Sequence, residues 1–391
     1  MDLESGVRSN CHTCLIPCVS RLVTKGRSKV EFKLGELFSG PGGMGLGALS
    51  VEVKKGKEKF FVTHGWANDY DLDTCKTYAY NISPDNEDSV IHGDVRSLKI
   101  GSLQPIDAFA YGFPCNDFSI VGKKKGFDGE FGPLYTYGIK VLNKFKPKFF
   151  VAENVGGITS NNEGLAFKKI LDDLSKAGNG YRITAHLYKA EKYGVPQTRH
   201  RVVIVGIDKT LGLEFKVPAP TTPDKPVTAS QAFKGIPKDA PNNEITKQSA
   251  TVVERLELIA PGDNIWQTKL PKHLQLNVKG AKLSQIYKRL HPNKPSYTIT
   301  GSGGGGTHGY HWKYPRALTN RERARIQTFP DDFIFQGSKE SVRKQIGMAV
   351  PVQLSKVIFE AIMKTFAGIP YPSVPNSINI DGKRIIVKIE D

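Results

Sequence analysis

Residues 33–45 read Lys-Leu-Gly-Glu-Leu-Phe-Ser-Gly-Pro-Gly-Gly-Met-Gly. The first part, 33–38, is a short apolar strand. Behind it Gly40, Gly42 and Gly45 satisfy G-x-G-x-x-G in front of a helical stretch. Missing β-carbons let a backbone approach a ligand closely, and the first turn of a helix offers unpaired N–H groups. Two acids extend the pattern. Asp69 follows a strand at 59–68 and is placed to accept from ribose hydroxyls. Asp94, in His92-Gly93-Asp94-Val95, follows a third short strand and is placed to accept from an adenine amino group. Taken singly, each reads equally well as a helix cap. Together with the turn they suit an adenosyl ligand, and these residues leave open whether it is a dinucleotide or S-adenosylmethionine.

Outward from the turn, strand-like runs at 33–38, 59–68, 107–112, 148–153, 181–189 and 202–207 alternate with helical stretches at 72–81, 134–145 and 165–178. The helical stretches carry apolar residues nearer every 3.6 than every 2 positions. Strand alternating with helix predicts an α/β fold, a parallel sheet with helices on both faces. The character changes at Asp208. Residues 208–300 are rich in Pro, Lys, Thr and Asn, and 301–306 read GSGGGG, a hinge. Helical patterns resume at 319–327, 342–345 and 352–366, and 378–389 read as a hairpin around Asp381-Gly382. The predicted organisation is an N-terminal extension over 1–29, a ligand-binding domain over 30–207, a smaller loop-rich unit with its hinge over 208–340, and a segment over 341–391 returning to the first domain.

The strand at 107–112 runs into Gly112-Phe113-Pro114-Cys115-Asn116-Asp117-Phe118-Ser119. A cysteine at a strand end, behind a proline and opening a Gly- and Lys-rich loop (120–131), is badly placed for core packing. Lys123, Lys124 and Lys125 favour a thiolate and offer phosphate contacts. The strand at 148–152 ends in Glu153-Asn154-Val155, and Gln197-Thr198-Arg199-His200-Arg201 directly precedes the strand at 202–207. Functional side chains emerge at the carboxyl ends of parallel strands, so Cys115 and Glu153 should share a rim with the glycine turn. Alternation predicts Arg199 and Arg201 on one face.

Composition bounds the partners. The chain has 391 residues, 39% of them apolar, enough for two compact domains or one large domain with an insertion. No apolar run approaches the roughly 18–20 residues that cross a bilayer. The opening MDLESGVRSN lacks a signal-peptide pattern, which predicts a cytoplasmic protein away from membranes. Lys and Arg outnumber Asp and Glu by 55 to 38, a net +17 that points to a polyanion. Five cysteines, an odd count, argue for free thiols in a reducing compartment. Cys11, Cys14 and Cys18 lack a fourth ligand at finger spacing beyond them, so no metal site is expected.

These motifs in this order resemble the cytosine-5 DNA methyltransferases of bacterial restriction-modification type. The carriers are FSGPGG at 38–43, GFPCNDFS at 112–119, ENV at 153–155, QTRHR at 197–201, RALTNRERARIQTFPDDF at 316–333 and GMAVP at 347–351. Two positions depart from the family pattern: Asn116 where Gln is usual, and Met348 where Asn is usual. The resemblance implies a Rossmann-like S-adenosylmethionine-dependent sheet with helices on both faces, plus a loop-rich target-recognition domain. It implies that Phe38, Gly40, Gly42 and Gly43 surround the methionine part of the cofactor. Asp69 would hold the ribose, Tyr70 would stack on the adenine, and Asp94 and Val95 would meet its edge, with Pro114 and Leu134 lining the pocket. Cys115 would be the nucleophile, with Glu153, Arg199 and Arg201 gripping a flipped-out cytosine. The implied partners are duplex DNA and a cognate restriction endonuclease, with the protein a monomer on the nucleoid. An RNA cytosine methyltransferase would share the thiol chemistry. An NAD-dependent oxidoreductase would explain only the glycine turn, and an inactive DNA-binding relative would not need Cys115 and Glu153.

Overall fold

A computed structural model describes residues 28–114, 134–159, 164–277, 283–301, 306–381 and 384–387. Cys115, the lysine loop, Cys11, Cys14, Cys18 and most of the 301–306 run lie outside them. Among the described residues one eight-stranded sheet dominates. Its order is β2 (Glu52–Lys55), β3 (Glu58–Asp69), β1 (Lys29–Leu37), β5 (Ala108–Gly112), β6 (Phe149–Val155), β9 (His200–Asp208) and β7 (Tyr181–Lys189), with β4 (Val90–His92) beside β3.

Strand side chains alternate between two cores, the expected consequence of a period of two. Phe32, Leu34, Ala108, Ala110, Phe149, Val151, Val203 and Val205 face one core. Phe109, Tyr111, Phe150, Ala152, Val202 and Ile204 face the other. Helix α1 (Gly43–Leu49) and the last long helix, Val352–Ala367, cover the first face. Helices α3 (Tyr135–Phe145) and α4 (Leu165–Lys176) cover the second. Helix α2 (Leu72–Ile82) follows β3, capped by the Asp71 carboxylate on Thr74 N.

The expectation of a wholly parallel sheet is corrected. Strands β3, β1, β5 and β6 are parallel, as is β4 against β3. β9 runs antiparallel to both β6 and β7, and β2 forms a hairpin with β3. The reversal has a short cause. β7 and β9 are joined through a 3-10 turn at Ala190–Tyr193 and the two-residue β8 (Gln197–Thr198), with no crossover helix, and a parallel return needs one.

Residues 208–300 contain short elements: β10 (Val217–Pro218), α5 (Ala229–Phe233), α6 (Ala250–Leu258) and β11 (Ser296–Tyr297). A separate small core forms from Leu256, Ile259, Ile265, Leu274, Ile286, Tyr287 and Tyr310. The Arg289 guanidinium knits it together by donating to the carbonyls of Leu256, Ile259, His311 and Trp312. Then come α7 (Asn320–Ile326), α8 (Lys339–Met348), α9 (Val352–Ala367), β12 (Ser373–Val374) and the antiparallel pair β13 (Ile378–Asp381) and β14 (Arg384–Val387), where a hairpin was expected. The stretch Lys339–Ala367 is long and apolar enough to cross a membrane, although charged residues interrupt its apolar run. A break at 349–351 divides it into α8 and α9, and 72% of its most apolar window is buried inside the protein.

Candidate active site on the carboxyl rim

Because β1, β3, β4, β5 and β6 are parallel, their carboxyl ends share one rim. It carries the glycine turn after Leu37, Asp69 at the end of β3 with Tyr70 and Asp71 behind it, Asp94 after β4, Phe113-Pro114 after β5 and Glu153 within the end of β6. The antiparallel sense of β9 brings its beginning to the same rim: Arg201 pairs with Val155 in register. Parallel to β6, this strand would have carried Arg199 and Arg201 to the opposite edge.

The turn is strained and braced. Phe38 has φ +53°, a left-handed conformation unusual for a phenylalanine, and Gly40 has φ +56°. A β-carbon on Gly40 would meet nothing within 4 Å, so that glycine answers a backbone requirement and opens onto free space. Gly43 differs: a β-carbon there would lie 2.2 Å from the Val350 carbonyl oxygen, so it answers packing against the chain entering α9. Asp69 is buried, and its carboxylate accepts from Gly40 N at 2.9 Å and Asp71 N at 3.1 Å. Burial raises its pKa against the pull of those donors. Tyr70 is 62% exposed, with the Lys344 ammonium 5.4 Å from its ring centre.

Opposite the turn, Arg201 Nε lies 2.9 Å from Glu153 Oε1, both side chains mostly buried. Asn154 Nδ2 donates to the Phe113 carbonyl at 3.0 Å, tying the Pro114 end of β5 to β6. Arg199 behaves unlike Arg201. It is 2% exposed and donates to the carbonyls of Ile299, Gly347 and Ala349 at 3.1–3.2 Å. Burial, then the charge of Arg201, brings its pKa down to about 9. Gln197 and Gln327 complete this inward knot: Gln197 Nε2 donates to Gln327 Oε1, and Gln327 Nε2 donates to Ile346 and Ala349 carbonyls. The QTRHR, RIQ and GMAVP segments are thus bound into one unit.

A cavity of about 60 Å³ sits between these parts, lined among others by Glu36, Phe38, Gly40, Glu153 and Met348. The structure therefore gathers Phe38, Gly40 and Glu153 at one void, with Arg201 against Glu153. Gly42, Gly43, Asp69 and Tyr70 stand around the turn outside the cavity lining. Val95 and Leu134 pack into the core on the α3 side of the sheet. Asp94 caps a 3-10 turn and holds Arg96 through both carboxylate oxygens, so its reading as a cap is what the resting structure displays. Glu36 and Met44 were not anticipated. Glu36 lies two residues before Phe38, but Lys29, Glu31 and Lys33 make the same strand charged elsewhere, so no local signal sets it apart.

A family model for C-5 cytosine-specific DNA methylases matches residues 32–364, spanning this rim and its supporting segments. The chain belongs to that family. The methylase is 55% identical over 372 residues to the type II methyltransferase M.BbvI of Brevibacillus brevis, covering 93% of this chain and 100% of the relative. It is 42% identical to the type II methyltransferase M.NgoFVII of Neisseria gonorrhoeae, covering 86% and 87%. Among solved structures, a protein assigned as a prophage DNA modification methyltransferase of E. coli shares the fold with a TM-score of 0.65 at 24% identity, covering 86% and 99%. The methylase is thus a cytosine-5 DNA methyltransferase, and the α/β sheet with helices on both faces is the one its family uses.

Proposed function

We propose that the methylase transfers a methyl group from S-adenosylmethionine to carbon 5 of a flipped-out cytosine in a specific duplex sequence, through a covalent bond to Cys115. Its work would be to protect DNA from a cognate restriction endonuclease. The observation that carries this reading is Glu153 paired with Arg201 at a cavity shared with the glycine turn, one residue from Pro-Cys across the Asn154–Phe113 tie.

The residues present fit the cofactor. Gly40 opens onto free space, Asp69 stiffens the turn, and Tyr70 offers an exposed ring. Phe38, Gly40, Gly42 and Gly43 would hold the methionine part, and Asp69, Tyr70, Asp94, Val95, Pro114 and Leu134 the rest. Asp94 would exchange Arg96 for that contact. Bound, the cofactor supplies a methyl group activated on a sulfonium.

Carbon 5 of cytosine is a weak nucleophile while the ring is aromatic. Attack of the Cys115 thiolate on carbon 6 breaks aromaticity and makes carbon 5 enamine-like, which is covalent catalysis. As Arg201 moves from Glu153 to the base carbonyl and stabilises the developing charge, the freed Glu153 carboxylate takes a proton from solvent and passes it to nitrogen 3. Arg199 has both Nη groups engaged by the carbonyls of Ile299, Gly347 and Ala349, so its part is to position Arg201 and the GMAVP segment. Once carbon 5 carries the methyl group, its own proton passes to water, nitrogen 3 returns its proton to Glu153, and elimination frees Cys115 as the thiolate. The base must leave the stack first, at a cost of a few kcal/mol.

Residues 30–207 with 341–391 would carry catalysis and 208–340 target recognition, with one cleft serving a monomer on cytoplasmic DNA. Incubation with S-adenosylmethionine and a duplex containing 5-fluorocytosine, which has no carbon 5 proton to lose, tests the reading. A covalent protein–DNA adduct is expected with the native chain and none with Cys115→Ser. Retarded duplex without an adduct in the native protein would refute the thiol route.

A further inference from the structure

Arg323 on α7 is 2% exposed, and its Nε and Nη2 are buried without a hydrogen-bond partner. The neighbouring arginines of that helix are satisfied. Arg321 donates to the carbonyls of Pro241, Pro330 and Phe333, and Arg325 pairs with Asp331. The adjacent acid, Glu322, is taken by Arg316 through both oxygens at 2.7–2.8 Å. Burial, then the charge of Arg343, lowers the Arg323 pKa only to about 10. The guanidinium therefore stays charged at neutral pH. The acid that acts on it, Glu322, is already held by Arg316, and a buried charge without a carboxylate of its own is among the least favourable arrangements a fold can hold.

Arg323 lines a cavity of about 20 Å³, separate from the catalytic one and sharing no lining residue with it. Arg343, Lys339, His308 and Glu244 are also in its wall. Arg343 is 8% exposed, and its paired acid, Glu340, stands 3.5 Å away with its side chain 78% exposed. Burial, then the charges of Arg343 and Arg323, keep the His308 imidazole below its ordinary pKa, with Glu340 opposing. Against two buried guanidiniums and a lysine the wall sets one exposed carboxylate, Glu244. A void of this size admits one water-sized group. Water would satisfy the donors but leave the charge.

We propose that Arg323 and Arg343 form a binding site for a phosphate-class oxyanion, which seats one oxygen between the two guanidiniums. The anion is either free phosphate or a phosphate of the bound duplex. The site itself does not depend on the proposed reaction; only the duplex source rests on it.

The test follows the thermal midpoint of the full chain as inorganic phosphate is titrated against sodium chloride at equal ionic strength. For a free anion, the native protein should show a saturable rise, by mass action on the folded state. Arg323→Met should lose that rise and, without phosphate, melt no lower than the native chain because a buried uncompensated charge has gone. For a duplex phosphate, the titration should be flat, while the slope of log affinity for DNA against log salt falls by about one in Arg323→Met. Arg343→Gln, which leaves Arg323 in place, should also weaken the phosphate response severalfold or lower the salt slope in the same way. A native midpoint indifferent to phosphate with an unchanged salt slope in both variants would overturn the site. So would Arg323→Met melting well below the native protein in phosphate-free buffer, since the guanidinium would then be a structural prop.

Discussion

Glu36 lies under the glycine turn, 1% exposed, with its carboxyl accepting from the Tyr78 hydroxyl and the Gly45 backbone. Burial raises its pKa from 4.5 to about 7 in spite of those two donors. A carboxyl that binds its proton more tightly when folded stabilises the fold fully below its unfolded pKa. That stabilisation is lost as pH climbs through the folded value. Between pH 4.5 and 7 the native chain should therefore lose about 3 kcal/mol of unfolding free energy relative to Glu36→Gln. Denaturant titrations of both proteins at several pH values would show it, and parallel pH profiles would count against it. Other residues divide by what a one-dimensional pattern can carry. Glu153 and Arg201 were legible because strand ends and motif spacing announce them. The inward hydrogen bonds of Arg199 were not, because alternation presumes a continuous strand and the chain breaks between β8 and β9 at that residue. Glu36 was passed over for a related reason: nothing local says that an acid in a strand will be covered on both sides.

At the scale of elements, the contact between α1 and the segment entering α9 decides how the turn is held. Gly43 faces the Val350 carbonyl at a distance no β-carbon tolerates, whereas Gly40 needs only its left-handed backbone. Gly43→Ala should cost roughly 1–3 kcal/mol through forced separation of backbone from backbone. Gly40→Ala should cost about 1–2 kcal/mol from backbone strain alone and leave the α1–α9 contact in place. Urea midpoints read the stability. Protection of α9 amides from hydrogen exchange should fall only in the Gly43 variant, and equal protection in both would dismiss the distinction. The main strands and helices were legible from periodicity, to within a few residues at their ends. β2 was missed because its sequence, Glu-Val-Lys-Lys, is charged and lies at the sheet edge, where little apolar patterning is needed. The direction of β9 was missed because strand order and sense depend on connection geometry rather than on composition.

Across the whole molecule, an excess of 17 positive charges coexists with a rim whose central groups include Glu36, Asp69 and Glu153. A net positive charge favours a polyanion, and the proposed function would set these acids toward a cationic donor and a polar base. Family membership over residues 32–364 joins these features into one enzyme. Nucleoside mass spectrometry shows which atom of DNA receives the methyl group. Duplex DNA of randomised sequence would be incubated with the protein and S-adenosylmethionine carrying a trideuterated methyl, then digested to nucleosides. The label should appear in 5-methylcytosine at one recurrent sequence. Label in N4-methylcytosine or N6-methyladenine, or none in DNA while the labelled methyl appears in cytosine of RNA, would contradict it.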